Sequence, residues 1–360
     1  MTERMTNGIV HIVEHMAPGG IETFVLDLLR VGEASDRIFS LQGNKAKLLL
    51  NWGALQEFED RLEAFDRKPG IRPALPGAIA SRLRAVRPRV VFVHHIGPLI
   101  YGGLAARLVG IPQLIYVEHD AWHYTNARHR KLIRGCFGLL RPKVVAVSNQ
   151  VRNALIRMIP RLDVAVIPPG VATDKFIPGN KAEARSRLGL SFSCQIVGTA
   201  GRLVPVKAHH ILLRAMAELP ENVHCAIAGD GPERDKLQEL ANELGLSHRI
   251  HFLGHRDDLW RVYPAFDVFC LSSEAEGLPR TVLEAQACGV PVVATNVGGM
   301  AEALDPETSL LVPPNQPVAV ANGIRSILSR AESLNSPRQF IQNKMSLAVT
   351  SAQFQALYSQ

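Results

Sequence analysis

The 360-residue chain contains no apolar run approaching the ~18 residues that a bilayer-crossing helix requires, so nothing in it reads as a membrane span. Its opening, "MTERMTNGIV", is polar up to a short strand-like run and holds no signal-peptide core. Cytoplasmic residence is therefore the expectation. Cysteine is scarce: Cys136, Cys194, Cys225, Cys270 and Cys288 form no CxxC pair, and their number is odd. That argues against a disulfide framework or a zinc ribbon and for thiols kept in a reducing compartment. Aromatic residues make up 6% of the chain. With so few rings to stack bases and no reader motif, nucleic acid is not an expected partner. Also missing are GxGxxG, a P-loop, HExxH and a DxD flanked for metal binding. Asp257-Asp258 reads as the start of a helix, so no essential metal is expected.

What is present is a repeated strand–helix grammar. "GIVHIV" precedes a Gly loop and "IETFVLDLLRVG", which carries helical spacing at Ile21, Phe24, Val25, Leu28 and Leu29. "RVVFVHH", "PQLIYVEHD", "KVVAVS" and "DVAVIPPG" continue the series. "VIPPGVATDKFIPGN" is rich in Pro and Gly and reads as a linker. A second series follows: "CQIVGTAGRL", "VHCAIAGDG", "RIHFLGH", "DVFCLSS", "VPVVATNVGG" and "SLLVPPN", each separated from the next by helical or loop segments. β-Branched runs alternating with amphipathic helices predict parallel sheets covered on both faces. The fold class expected is α/β, with two doubly wound Rossmann-like lobes. Ligands would bind at the carboxyl ends of the strands, in the cleft between the lobes.

Charge is uneven. Residues 1–170 hold 23 Lys and Arg against 14 Asp and Glu, a balance of +9; the remainder comes to −2. The basic residues gather in "SRLRAVRPR" (Arg82, Arg84, Arg87, Arg89) and "ARHRKLIR" (Arg128, Arg130, Lys131, Arg134). Two readings fit: a solvated helix face, or contact with something anionic such as acidic lipid headgroups or a phosphorylated lipid acceptor.

The most informative stretch is "FCLSSEAEGLPRTVLEAQACGVPVVATNVGG". It reads as a buried strand, a loop holding Glu276, Gly277 and Leu278, and a helix opened by Pro279 with Leu278 at the N-cap. Leu278 offers no side-chain acceptor, so the first N–H groups, from Arg280 through Thr281 to Val282, form an anion site. Glu284 lies less than two turns in, and helical side chains lean toward the N-terminus. A carboxylate there suits paired sugar hydroxyls better than phosphate. Glu276, in the loop, would sit nearer to whatever the phosphate carries. "TAGRLVPVKAHHILLRA" supplies positive charge: Arg202 follows Gly201 after a strand, and Lys207 stands at the next helix start. Alone, each is an ordinary surface cation. Together, a guanidinium fork and an ammonium suit a diphosphate. In the first lobe, Gly19 and Gly20 open a helix after a strand, a geometry that admits phosphate but also an ordinary turn. His95 and His119 end two strands. Either could be a packing residue; His119 stands out for its place in the polar cluster Glu118–His119–Asp120.

These features together resemble the retaining GT-B glycosyltransferases of family 4, the group of sucrose synthase and bacterial phosphatidylinositol mannosyltransferases. The resemblance is carried by "GG-x-E" at Gly19–Glu22, "VSNQVRNAL", "VIPPGV", "GRLVPVKAHHILLRA", "IAGDGPERDKL", "FLGHRDDLWRVYPAFDVFCLSS" and the Glu-x7-Glu pair Glu276–Glu284 with "ACGVPVVATNVGG". It spans nearly the whole chain and is more specific in the second lobe. It implies an acceptor-binding domain over 1–172, a donor-binding domain over 173–342 and a helix over 343–360 that returns to the first domain. It implies that Arg202 and Lys207 hold the donor diphosphate, that Arg280 and Thr281 line the nucleotide site and that Glu284 binds ribose. Glu276, with the backbone of Gly277, Leu278 and Pro279, would contact the donor sugar. His119 would lie beside the transferred sugar, and Gly19–Gly20 would border phosphate and acceptor. The implied reaction is metal-independent and needs no cofactor. It transfers a sugar with retained configuration from a UDP-, GDP- or ADP-sugar to a lipid-linked or saccharide acceptor in surface glycan synthesis. The enzyme would be cytoplasmic, at the inner face of the membrane where an anionic surface attracts it. Two positions depart from the family pattern: Arg89 replaces an acidic residue, and Pro169 stands where Asn is common. Competing readings are an epimerase of the UDP-N-acetylglucosamine type, an NAD(P) oxidoreductase, which the missing GxGxxG disfavours, and a non-catalytic binding pair.

Overall fold

A computed structural model describes residues 8–121, 124, 126–330 and 336–359. The chain divides into two units: one runs up to Pro169 and resumes at Thr350, and the other is Gly170–Val349. Val171 forms an isolated parallel bridge to Ser346; its N–H donates to Met345 O and its carbonyl accepts from Leu347 N. These bonds tie Val171 into the second unit, so the division falls after residue 169, where the sequence reading put it after 172.

In the first unit, seven strands form one sheet: β1 (Ile9–Val13), β2 (Arg37–Ser40), β3 (Leu62–Ala64), β4 (Val90–His94), β5 (Gln113–Glu118), β6 (Lys143–Ala146) and β7 (Val164–Val166). Their order is β3-β2-β1-β4-β5-β6-β7, every pairing parallel. The central strands are apolar on both faces, and Val10, Ile12, Val91, Val93, Ile115 and Val117 are all buried. That is the burial expected of a sheet covered on both sides. β3, at one edge, and β2 beside it are short and carry polar residues, so sequence periodicity does not mark them.

The second unit holds β8 (Gln195–Ala200), β9 (Val223–Ala228), β10 (Ile250–Gly254), β11 (Val268–Leu271), β12 (Val292–Thr295) and β13 (Leu310–Val312), in the order β10-β9-β8-β11-β12-β13, again parallel. Helices His209–Ala217 and Pro317–Leu328 pack over one face and contribute Leu212, Met216, Val320 and Ile324 to its core. Helix starts follow local chemistry: Ser148 caps Asn149–Met158 by accepting from Val151 N at 3.2 Å, and Asn180 caps Lys181–Leu188 by accepting from Glu183 N.

Both units are thus doubly wound α/β lobes. In each, strand order reverses once, between β1 and β4 and between β8 and β11. Loops leaving the carboxyl ends of the two strands at such a point diverge and open a crevice. Among the described residues, no helix is long and apolar enough to cross a membrane. Cys225, Cys270 and Cys288 are buried.

Candidate active site

In the second unit the two loops at the switch point are stitched together. After β8 the chain runs through Gly201–Val204 into a short 3-10 turn, Pro205–Lys207. After β11 it runs through Ser272–Pro279 into the helix Arg280–Ala287. Glu274 N donates to Val206 O at 2.9 Å, and Ser272 Oγ donates to Ala208 O at 3.0 Å. The β8 loop is backed by the loop after β9: Gly201 N bonds Ala228 O, and Leu203 N bonds Asp230 O. Gly229, at φ +156, lies so close that a Cβ would overlap the Gly201 carbonyl oxygen. The third support is the loop after β12. Thr295 Oγ1 donates to Ser273 O at 2.6 Å, Gly299 N donates to Gly277 O at 2.6 Å, and Gly298 adopts φ +60 with no room for a side chain beside Glu276 O.

This scaffold brings Lys207 and Glu276 into contact. Lys207 Nζ donates to Glu276 Oε1 at 2.6 Å, and Ser273 Oγ donates to the same oxygen at 2.6 Å. The two side chains are 20% and 8% exposed. Glu276 Oε2 has no hydrogen-bond partner among the described residues. The crevice therefore presents an ammonium and a half-used carboxylate, paired with each other. Arg202 lies exposed in the β8 loop and makes no ion pair among the described residues.

The helix start differs from the sequence reading. The first helical residue is Arg280, and Pro279 is the N-cap, at φ −75 and ψ 120, with no side-chain cap. Leu278 lies one residue before the cap and is buried. Pro279 has no N–H, so of the loop amides assigned to the sugar only those of Gly277 and Leu278 can donate. Arg280 and Glu284 turn inward. Arg280 Nη1 donates to Gly170 O at 2.9 Å, Arg280 Nη2 stands 3.6 Å from Glu284 Oε1, and Tyr263 OH donates to Glu284 Oε2 at 2.9 Å. All three side chains are buried. Burial, reinforced by the Glu284 charge, raises the Tyr263 phenol well above its ordinary range. Thr281, in the same first turn, is half-buried.

In the first unit, Gly19 caps the helix Gly20–Val31 in extended conformation, and Glu22 occupies the first turn. His119 follows β5 and is buried. Its Nε2 meets His94 Nδ1 at 3.0 Å, and His94 Nε2 meets His11 Nδ1 at 3.2 Å. Burial lowers His119 and His11 to about 3, so both are neutral at physiological pH. His95, at φ +69, points its Nδ1 at Glu118 Oε1 at 2.9 Å. Glu118 is fully buried and also accepts from Tyr116 OH and Tyr124 OH.

Sequence reasoning missed Ser273, Tyr263, Thr295, His11 and His94. Ser273 alone left a signal, in "SSEAEG" directly ahead of the acid it bonds. The others approach the site through register or packing.

Two family models match the chain: "Glycosyltransferase Family 4" over residues 9–175 and "Glycosyl transferases group 1" over residues 180–346. A D-inositol 3-phosphate glycosyltransferase of Mycobacterium sp. (strain KMS) is 45% identical over 174 residues, 46% of this chain and 39% of that protein. One from Corynebacterium urealyticum is 39% identical over 182 residues, 46% of this chain and 43% of that protein. The chain thus spans about two fifths of the length of these curated relatives. Among solved structures, Anabaena Alr3699/HepE in complex with UDP superposes with a TM-score of 0.86 at 22% identity, covering 98% of this chain and 99% of that one. A glycosyltransferase from Rickettsia africae ESF-5 superposes at 0.80 with 24% identity, covering 98% and 97%. At such identities the likeness establishes the fold.

Proposed function

Because this chain belongs to the group 1, family 4 glycosyltransferases, we propose that it moves a sugar from a nucleoside diphosphate sugar to a hydroxyl acceptor with retained anomeric configuration. The observation that carries this reading is the Lys207–Glu276 pair at the switch point of the second sheet, next to a helix start without a side-chain cap. A diphosphate entering there meets an ammonium, the exposed Arg202 guanidinium and the first N–H groups of a helix. These charges are placed before the reaction and would stabilise the leaving diphosphate as its bond to the sugar breaks. Glu276 then has its second oxygen for a sugar hydroxyl, and Gly277 and Leu278 add backbone donors. Glu284, held by Tyr263 and Arg280, is assigned to ribose. His119 is a neutral hydrogen-bonding group for the transferred sugar, and Gly19–Gly20 border the acceptor. The departing phosphate oxygen takes the acceptor's proton on the same face, so no separate base is required and no metal is invoked.

UDP is the first nucleotide to test, since the Anabaena structure holds it. For the acceptor, the excess of basic residues before residue 170 favours an anionic molecule, either a phosphorylated polyol, as the names of the curated relatives suggest, or a lipid-linked glycan. The helix Ala127–Leu140 supports a peripheral membrane position, because it exposes Leu132 and Leu139 beside Arg128 and Lys131. The test is a thermal-shift panel of UDP-, GDP- and ADP-sugars, followed by NMR of the anomeric proton in product formed with candidate acceptors. At least one nucleotide should raise the melting temperature. A flat panel refutes the donor site, and isomerised sugar from donor alone would mark an epimerase instead.

A further inference from the structure

Three buried histidines form an unbroken row across adjacent strands of the first sheet: His11 on β1, His94 on β4 and His119 after β5. The bridging distances are 3.2 Å and 3.0 Å. Each bridge joins an Nδ1 to an Nε2, in the same sense along the row. Two nitrogens remain, His11 Nε2 at one end and His119 Nδ1 at the other, and neither has a hydrogen-bond partner among the described residues. The His11 end lines a cavity of about 150 Å³ beneath the helix Leu347–Tyr358, bordered also by Asp36, Arg89, Phe354 and Tyr358. At ~30 Å³ per water it has room for several.

The rings are neutral. Burial is the first cause for all three, and the neighbouring histidines lower His94 further. Around His119 stand His94 and His95, its own neighbours Glu118 and Asp120, and the Phe24 ring at 6.4 Å. A neutral imidazole has one N–H and one lone pair. Three rings therefore bring three hydrogens and three lone pairs, and two bridges use two of each. One hydrogen is left at one end and one lone pair at the other. In a fully bonded row only two arrangements exist: all three rings protonated on Nδ1, or all three on Nε2. Any mixture sets two hydrogens or two lone pairs against each other in a buried place, which is costly.

We propose that His11, His94 and His119 act as one tautomeric unit, through which the cavity at His11 fixes whether His119 Nδ1 offers a hydrogen or a lone pair. A group in the cavity that accepts from His11 Nε2 holds the row in the Nε2–H state, and His119 Nδ1 then presents a lone pair. A group that donates to His11 reverses every ring. In the change one proton crosses each bridge, one is taken up at one end and one is released at the other; net charge is unchanged. His94 and His11 are positioning residues. Their value for turnover rests on the role given to His119 under the proposed function, whereas the coupling of the rings does not.

The experiment is long-range 1H–15N NMR of the imidazoles in the 15N-labelled full chain, assigned with His11→Gln, His94→Gln and His119→Gln. All three rings should carry the proton on the same nitrogen and show no titration between pH 6 and 8. Mixed tautomers, or titration of any of the three in that range, overturn the proposal, and this reading needs no variant. In His94→Leu, the His119 tautomer should change or become averaged, and kcat should fall about tenfold, the effect of one hydrogen bond, with donor KM within twofold of wild type. An unchanged His119 tautomer in a folded His94→Leu protein overturns the coupling. A changed tautomer with unchanged kcat upholds the coupling and removes His119 from the proposed mechanism.

Discussion

Replacing Lys207 by methionine keeps an unbranched apolar side chain of nearly the same length and removes the ammonium. In the structure the Lys207 side chain is 20% exposed, and its ammonium donates to Glu276 Oε1 at 2.6 Å. A hydrogen bond between charged groups is worth about 1.5–3 kcal/mol. Its loss to a donor diphosphate therefore weakens nucleotide binding by roughly 10- to 150-fold. The neighbour sharpens the effect. With Lys207 gone, Glu276 keeps only the Ser273 hydroxyl among its described partners and faces the incoming diphosphate as an unneutralised, buried carboxylate. The reciprocal variant Glu276→Gln preserves shape and releases the ammonium from its internal partner. Calorimetric titration with UDP should show Lys207→Met weakened by that factor. Glu276→Gln should bind at least as tightly as wild type, yet transfer more slowly from a UDP-sugar. The double variant should recover stability relative to Lys207→Met without recovering UDP affinity, because the buried carboxylate is gone but the cation is still missing. A folded Lys207→Met protein that binds UDP within twofold of wild type would refute the assignment.

Two further outcomes are expected. His11 and His119 sit at about 3 and His209 at about 4 in the folded chain, and His94 is lowered as well, all primarily by burial. The unfolded chain takes up protons below pH 6.5 that the folded chain refuses, so stability is full above pH 6.5 and is lost as pH falls toward 3–4. Each histidine contributes on the order of 1.4 kcal/mol per pH unit in that window. The urea midpoint should drop between pH 7.5 and 5.5, first for signals from the first unit, which holds three of the four; an unchanged midpoint would count against buried neutral rings. Gly298→Ala places a Cβ on the Glu276 carbonyl at φ +60, costing about 1–2 kcal/mol of stability and displacing the Glu276 loop. A lower melting temperature with at least tenfold weaker UDP binding is expected, and a variant with wild-type values for both would show that the loop does not depend on this turn.

How much was legible varied with the distance between interacting residues. β4, β5, β11 and β12 show as apolar runs because a strand buried on both faces is built mainly from apolar side chains. β2 and the edge strand β3 are only four and three residues long and mix polar with apolar side chains, so no period shows and they left no mark. Around the site, Glu276 and Lys207 stood out because each lies just past a strand in a loop that precedes a helix, a local pattern. Their 2.6 Å contact did not, since it links residues 69 positions apart. Arg280 was expected to line the nucleotide site; the Gly170 carbonyl, 110 positions away, and Glu284 one turn on turn it inward.

The amino-acid order alone determined the α/β alternation, the two-lobed division and the loops that carry charge, because strand and helix periods and the residues bounding them act over a few neighbours. Tertiary structure decided what those loops meet. The parallel order β1-β4-β5 aligns three histidines from positions 11, 94 and 119 into one row. The β8–β11 junction presses an ammonium against a carboxylate. Both follow from which strands lie side by side, a choice made by burial summed over the whole sheet rather than by any one segment.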